Sequence, residues 1–231
     1  MPVDQHSAIE ITGLDWVPDF ARGHVRDLRP RWACEELGLP YRERLVSTMH
    51  RPGWYYAEQP FGQVPVLRDG GVHVFESGAT LIHLAERPEQ AGRLLPRSGQ
   101  GRADVLAWLF TAYNSVEPLA MEQAGVLLFH AGEDWAEARK PILFDEIDAR
   151  LARLADALGT REWAGGDFSI ADIALVTVLR EFEREGALAR QPVLAAYVER
   201  GMARPGFRRA IEAQLASFAD MPPPAQSPPP P

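Results

Sequence analysis

Short stretches of alternating hydrophobic and polar residues dominate the first 90 residues of the chain. Residues 8–14 and 41–46 alternate in this way and predict two β-strands. Residues 64–68 and 71–75 predict two further strands joined by Asp69-Gly70, a dipeptide typical of a tight hairpin turn. Because the long crossover between the first two strands implies a parallel pair and the hairpin an antiparallel one, we expect a small mixed sheet.

Helical spacing separates these strands. A helix is predicted to begin near Asp27, because Pro30 is tolerated only in a first turn, and to end before Gly38-Leu39-Pro40. Its apolar side chains share one face: Leu28, Trp32, Ala33 and Leu37. A second helix is predicted over residues 76–86. The first part of the chain therefore reads β-α-β-loop-β-β-α.

Beyond residue 100 the pattern changes from strands to helices. Residues 88–100 hold the turn formers of a linker. Helices are predicted over residues 101–131, 134–158, 169–185, 192–203 and 205–218, with no β-rich stretch among them. We therefore predict an all-α helical bundle over residues 101–219. The proline-rich residues 220–231 predict a disordered tail, and their composition favours a passive extension over a ligand for a proline-binding partner.

Composition narrows the classes of function. The chain has 231 residues and a formal net charge of −8, which argues against a nucleic-acid partner. No run of about 18 apolar residues exists and the N-terminus lacks signal-peptide features, so we expect no membrane span and a cytoplasmic protein. A single cysteine, Cys34, excludes an internal disulfide, and the scattered histidines predict no metal site.

The segment Gln63-Val64-Pro65, followed by Glu76-Ser77, carries the most specific chemistry. If the Val64–Pro65 bond is cis, the N–H and C=O of Val64 face a ligand and not a neighbouring strand. Glu76 and Ser77 lie where the start of a helix presents N–H groups to an anion. Together the two devices are suited to a small peptide, with its backbone on Val64 and its carboxylate on the helix start.

Three motifs together resemble the cytosolic glutathione transferase family of bacterial type. They are Arg31-Trp-Ala-Cys-Glu-Glu-Leu-Gly-Leu-Pro-Tyr41, the turn with Glu76-Ser77, and Asp167-Phe-Ser-Ile-Ala-Asp172. In the last, Ser169 and Asp172 predict a structural capping box. The resemblance spans about residues 8–218. It implies a thioredoxin-like, glutathione-binding α/β domain over residues 8–87, a linker over residues 88–100 and the helical domain.

By this resemblance, glutathione is the co-substrate. Val64, with Pro65 shaping the turn, holds the cysteinyl unit. Glu76 pairs with the γ-glutamyl ammonium, Ser77 with its carboxylate and Gln63 with the glycyl carboxylate. The simpler interpretations stay open: Pro65 only shapes a turn, Ser77 only caps a helix, and Gln63 is an ordinary exposed residue.

The group that activates the glutathione sulfur departs from the family pattern. Residues 13–31 contain no Ser, Thr, Tyr or Cys, and Cys34 reads as a small core residue. We therefore expect Arg22 or Arg26, with the helix N–H groups, to stabilise the thiolate, while Asp27 caps the helix. The alternative, that these arginines are surface charges around an unusual loop, is equally open.

The resemblance implies attack of the glutathione thiolate on a small hydrophobic electrophile, as in a detoxifying glutathione S-transferase that forms a homodimer. The electrophile pocket is predicted from Trp16, Phe20, Phe110 and Tyr113, although Tyr113 also reads as a core residue. Two other functions stay open. One is a glutathione-dependent disulfide or peroxide reductase, and the other is a non-catalytic binding protein for glutathione or a hydrophobic ligand.

Overall fold

The computed structural model describes residues 3–221. The strands are β1 Ile9–Leu14, β2 Arg42–Val46, β3 Val66–Asp69 and β4 Val72–Phe75. The main helices are α1 Leu28–Leu37, α2 Ser77–Glu86, α3 Gly99–Phe110, α4 Glu117–Ala124, α5 Asp134–Leu158, α6 Ile170–Leu179, α7 Pro192–Ala203 and α8 Pro205–Ser217. The Pro-rich tail predicted over residues 220–231 lies almost wholly outside the described residues.

The four strands form one sheet in the order β2-β1-β3-β4. β1 and β2 are parallel, whereas β1–β3 and β3–β4 are antiparallel, which confirms the predicted mixed sheet. The apolar face predicted for α1 is buried, since its side chains are at most 3% exposed. Pro30 lies at the third position of α1, where its missing N–H removes no intrahelical hydrogen bond. The predicted thioredoxin-like domain followed by a helical domain is the fold of the chain.

The helices after residue 98 follow the predicted bounds, with two corrections. The helix predicted over residues 169–185 is α-helical only over Ile170–Leu179 and continues as the 3₁₀ turn Arg180–Phe182. The segment predicted as a single helix over residues 101–131 is interrupted by two π-helical turns, Thr111–Val116 and Gly125–Phe129. A π-turn hydrogen-bonds five residues apart and not four, so side-chain directions shift there. Phe110 precedes the first of these turns and Tyr113 lies within it, so the α-helical rule that residues three apart share a face does not apply to this pair.

Ser169 and Asp172 make the reciprocal hydrogen bonds of a capping box at the start of α6. The Asp172 Oδ2 accepts from the Ser169 N–H at 2.8 Å, and the Ser169 Oγ accepts from the Ala171 N–H at 3.3 Å. Asp172 Oδ1 also accepts from the Ala164 N–H at 2.8 Å and from the Tyr197 hydroxyl at 2.5 Å. One fully buried carboxylate thus joins the helix start to two other segments of the helical unit.

Two compact units divide the described residues. The first comprises the residues up to Gln90 together with those from Pro205 onward, and the second is Ala91–Arg204. The last helix, α8, therefore belongs to the first unit, where the rings of Phe207 and Trp32 meet edge to face at 5.0 Å. The predicted boundaries placed α8 in the helical domain, because spacing identifies a helix but not the surface against which it packs.

Candidate glutathione site

The turn before β3 places Val64 with its side chain inward. The Val64–Pro65 peptide bond is cis. The Val64 side chain packs in a cluster with Val46, Tyr55 and Val66. Among the hydrogen bonds made between residues 3–221, none uses the Val64 N–H or C=O. A main-chain donor and acceptor at this position are suited to pairing with an extended peptide.

Two side chains in the preceding loop fix the course of this turn. The buried Gln59 accepts, through its Oε1, from the Phe61 N–H at 2.7 Å and the Gln63 N–H at 3.1 Å. The Tyr55 hydroxyl donates to the Gln63 carbonyl at 2.7 Å. Burial raises the pKa of Tyr55 to about 12, so the phenol stays protonated and remains a donor at neutral pH. Both the N–H and the carbonyl of Gln63, the residue before Val64, are thus held by hydrogen bonds to buried side chains.

Gly62 is required by the backbone of the same turn. Its φ of 66° is left-handed, and a Cβ at this position would lie 2.8 Å from the Tyr56 ring. The Gly62 carbonyl accepts from Arg51 Nε at 2.7 Å. The loop from Arg51 to Gln63 therefore has its own supports, which leaves the Gln63 side chain exposed to solvent.

The N-terminus of α2 forms the second half of the candidate site. Glu76, the N-cap residue, is exposed and has a φ of 69° and a ψ of 120°. Such a conformation is uncommon for a residue other than glycine, and backbone strain of this kind clusters at functional sites. The Glu76 side chain makes no capping hydrogen bond, and Ser77 is the first residue of the helix and not its N-cap residue. The Ser77 Oγ instead accepts from Arg29 Nη1 at 3.0 Å.

The start of α1 differs from the prediction. Asp27 is the N-cap residue, but the expected capping by its side chain is wrong, because that side chain makes no cap hydrogen bond. The Asp27 carboxylate accepts from Arg31 Nε at 2.7 Å and from Gln214 Nε2 at 2.6 Å. Burial raises the pKa of Asp27, and the Arg31 charge and hydrogen bonds oppose that rise. Asp27 therefore ties α1 to α8 inside the first unit.

The candidate thiolate-stabilising arginines occupy different surroundings. Arg22 Nη2 donates to the Ala219 carbonyl at 2.8 Å, and its Nε lies 3.5 Å from Asp19. Arg26 is half-buried on the turn that leads into α1. Cys34 is fully buried and burial raises its pKa, so its side chain is a core group, as its sequence position indicates. The proposed roles of Arg22 and Arg26 stay predictions.

The residues of the predicted electrophile pocket fall in both compact units. Trp16 is half-buried and Phe20 exposed in the first unit. In the second unit, Phe110 is 52% exposed at the end of α3, and Tyr113 is half-buried in the π-helical turn. The pocket itself stays a prediction.

Four residues support the candidate site through hydrogen bonds that the sequence-based prediction does not include. They are Arg29, Arg51, Tyr55 and Gln59. Gln59 begins the Gln59-Pro60-Phe61-Gly62 turn. A side-chain amide at the start of a turn indicates a hydrogen bond between that amide and the main chain of the turn. The Arg29–Ser77 contact joins residues 48 positions apart, and no local pattern indicates it.

Between residues 3 and 221, no group of three or more His, Cys, Asp or Glu side chains is arranged to hold a metal ion. Over this span there is also no helix that is both long enough and apolar enough to cross a bilayer.

Comparisons with known proteins agree with the fold and the motifs. The family model described as glutathione S-transferase, N-terminal domain, matches residues 28–87. Glutathione S-transferase F10 of Arabidopsis thaliana is 33% identical over 136 residues, which are 56% of this chain and 62% of that protein. Glutathione S-transferase theta-3 of Mus musculus is 29% identical over 201 residues, 80% of this chain and 82% of that protein.

Alignment length differs among the curated relatives. The chain covers 39% of the length of glutathione S-transferase tcpG of Claviceps purpurea, 62% of F10 and 64% of F14 of Arabidopsis thaliana. The sequence alignments thus leave out a third or more of each of these relatives.

Solved structures match over most of the chain. A glutathione transferase family member from Pseudomonas fluorescens, with two glutathione molecules bound, has a TM-score of 0.76 at 25% identity and covers 90% of this chain and 95% of its own. A glutathione transferase from Methylococcus capsulatus has a TM-score of 0.72 at 29% identity, covering 89% and 98%. A thioredoxin-like unit with a helical unit defines the class of protein. The matching family model, the relatives and the solved structures confirm the resemblance of this chain to the glutathione transferase family.

Proposed function

We propose that this chain is a glutathione transferase-like enzyme that binds reduced glutathione in its first unit. The observation that carries the proposal is the pairing of two features in that unit: the Val64 N–H and C=O, which make no hydrogen bond within residues 3–221, and the start of α2 at Glu76-Ser77. The matched structure from Pseudomonas fluorescens, which holds glutathione, supports the same interpretation.

Each part of glutathione has a partner of suitable chemistry. The Val64 N–H and C=O pair with the main chain of the cysteinyl unit. The γ-glutamyl carboxylate meets Ser77 and the positive end of the α2 dipole. The exposed carboxylate of Glu76 pairs with the γ-glutamyl ammonium, and the exposed Gln63 donates to the glycyl carboxylate.

The reaction is attack by the glutathione thiolate on a small hydrophobic electrophile. A cation near the sulfur lowers the pKa of a thiol and raises the thiolate fraction at neutral pH. Arg22 or Arg26 supplies that charge in this proposal. Trp16, Phe20, Phe110 and Tyr113 line the electrophile pocket. We further propose a cytoplasmic homodimer with a role in detoxification.

A glutathione-dependent reductase is the second candidate, and one observation favours it. Residues 13–31 hold no hydroxyl or thiol side chain, and the nearest cysteine, Cys34, is buried. A reductase needs neither: one glutathione thiolate attacks a disulfide and releases a thiol, and a second glutathione attacks the mixed disulfide to give glutathione disulfide. Two glutathione molecules in the Pseudomonas fluorescens structure are consistent with such a step. A protein that binds glutathione without catalysis is the third candidate.

Calorimetric titration with reduced glutathione tests the binding site. We expect Ser77→Ala to raise the dissociation constant about tenfold, because a hydrogen bond to a charged group is lost. Ser98→Ala is the matched control, since Ser98 is an exposed N-cap serine of α3 without a side-chain capping bond. Absence of binding by the unmodified protein would refute the proposed function.

Two activity assays separate the candidate reactions. Conjugation of glutathione to 1-chloro-2,4-dinitrobenzene supports the transferase, and reduction of hydroxyethyl disulfide supports the reductase. Binding without either activity supports the non-catalytic protein. If conjugation is found, its pH profile in Arg22→Ala and Arg26→Ala tests thiolate stabilisation. We expect one of the two variants to shift the apparent thiol pKa upward, and an unchanged profile in both would contradict this role.

A further inference from the structure

We infer that Arg29 is a positioning residue that orients the Ser77 hydroxyl and supplies positive charge behind it for a ligand carboxylate. The inference rests on the proposed function, because the carboxylate in question is that of the γ-glutamyl end of glutathione. Arg29 itself lies inside the first unit and acts through Ser77.

The contact is buried and connects two helix starts. Arg29 occupies the second position of α1 and is 4% exposed, and Ser77 is the first residue of α2 and is 5% exposed. Arg29 Nη1 donates to Ser77 Oγ at 3.0 Å. An arginine is rarely buried to this extent unless its charge is paired or used.

The direction of this hydrogen bond limits the directions in which the Ser77 hydroxyl can donate. A serine hydroxyl has one donor and two acceptor positions, and a guanidinium has only donors. Since Arg29 occupies an acceptor position of Ser77 Oγ, the hydroxyl hydrogen cannot point toward Arg29. In the proposed complex the Ser77 hydroxyl donates in another direction, to the γ-glutamyl carboxylate.

The charge of Arg29 acts in the same sense. The Arg29 guanidinium, which is hydrogen-bonded to Ser77 Oγ, adds positive potential at that oxygen, and burial weakens the screening of this charge by water. The α2 dipole adds positive potential at the same place. The exposed Glu76 carboxylate lies next in sequence, where it pairs with the ammonium of the same γ-glutamyl unit. The site is therefore suited to a zwitterionic amino-acid end group.

Calorimetry with two ligands tests this role. One ligand is reduced glutathione, and the other is an analogue in which hydrogen replaces the γ-glutamyl α-carboxylate. The variants are Arg29→Met, which removes the charge and the donors, and Arg29→Lys, which keeps the charge. Arg180→Met serves as a matched control, because Arg180 is a buried arginine of the second unit. Circular dichroism establishes that each variant is folded.

We expect the unmodified protein to prefer glutathione over the analogue by at least about tenfold. Arg29→Met reduces this preference to within about threefold, Arg29→Lys is intermediate, and Arg180→Met leaves it unchanged. In a Ser77→Ala background, Arg29→Met has a much smaller effect, since the two residues act as one unit. If Arg29 had only a structural role, Arg29→Met would weaken the binding of both ligands equally and leave the preference for glutathione unchanged.

Failure of this inference is distinct from failure of the proposed function. If the unmodified protein binds glutathione and the preference for its carboxylate persists in both Arg29 variants, the inference is refuted and the proposed function stands. Should Arg29→Met not fold, the Arg29→Lys result decides, because an undiminished preference there together with additivity with Ser77→Ala also refutes the inference. If the unmodified protein binds no glutathione, both fail.

Discussion

Replacing Asp172 by alanine removes the acceptor on which the start of α6 depends. Asp172 is fully buried, and its carboxylate accepts from the Ala164 and Ser169 N–H groups at 2.8 Å each. It also accepts from the Tyr197 hydroxyl at 2.5 Å. Asp172→Ala leaves these donors in a dry interior without their acceptor. The loss therefore affects α6, the segment before it and α7 together.

The size of the effect follows from these contacts. A buried donor that loses its partner costs about 1–3 kcal/mol, and loss of a helix cap costs about 1 kcal/mol. Burial raises the pKa of Asp172, so the native carboxylate itself carries a desolvation cost that the substitution relieves. We expect a net loss of about 3–4 kcal/mol in the free energy of unfolding. Against a typical total of about 5–15 kcal/mol, this is a large fraction.

Urea denaturation followed by tryptophan fluorescence and circular dichroism measures this loss. Trp163 is a local reporter, because its ring contacts those of Tyr197 and Phe168 at 5.8 and 4.9 Å. Asp167→Ala is the control: Asp167 is exposed, and we expect a change below about 0.5 kcal/mol. A loss below about 1 kcal/mol for Asp172→Ala, with an unchanged denaturant slope, would refute the assignment of α6 initiation to this carboxylate.

Three further predictions concern other parts of the chain. Because Cys34 is buried and burial raises the pKa of its thiol, we expect it to react with a disulfide reagent at least about a hundredfold more slowly in the native than in the unfolded protein. Hydrogen bonding from Arg44 lowers the pKa of Glu58 from its ordinary 4.5, so its ion pair stabilises the fold above that pH and is lost as pH falls through the lowered pKa. Glu58→Gln should therefore cost about 0.5–1 kcal/mol at pH 7 and progressively less in urea denaturation below pH 4.5. Gly201→Ala places a Cβ 2.6 Å from a Val176 methyl and should cost about 1–3 kcal/mol in the same assay.

Each of these three has its own contradicting result. Rapid modification of Cys34 in the native protein would contradict its burial. A stability difference for Glu58→Gln that grows toward low pH would contradict the lowered pKa. For the glycine, Gly125→Ala is the control, because nothing lies within 4 Å of its Cβ, and helix propensity favours alanine by up to about 1 kcal/mol. Equal effects of the two glycine substitutions would contradict the steric origin of the first.

Local sequence determined most of the elements. The β3–β4 hairpin, the Pro30 limit on the start of α1 and the Gly38 end of that helix all depend on the backbone preferences of a few adjacent residues. The two turn residues of the hairpin are Gly70-Gly71 and not the predicted Asp69-Gly70, because Asp69 pairs with Val72 in the sheet. The Ser169–Asp172 pair is equally local, because its partners are three residues apart. The π-helical turns were missed, since the apolar spacing of residues 101–131 does not distinguish them from an α-helix.

The candidate site divides along the same line. The motif Gln63-Val64-Pro65 with Glu76-Ser77 is readable in the sequence, because turn chemistry and helix starts are encoded within a few residues. What supports that motif is not readable: Arg29 reaches Ser77 across 48 residues, and Gln214 reaches Asp27 across 187. Asp27 illustrates the consequence, since its position predicts a cap while its carboxylate turns inward to Arg31.

By itself, then, the sequence determined most of the strands and helices, and it predicted which residues bind a peptide ligand. The tertiary structure alone decided that α8 packs with the first unit, that Asp27 serves α1 and α8 and not the helix cap, and that a buried arginine stands behind Ser77. The physical reason is range. Backbone preferences and periodicity act over a few residues, whereas buried charges select their partners only after distant segments have been brought together and water has been excluded.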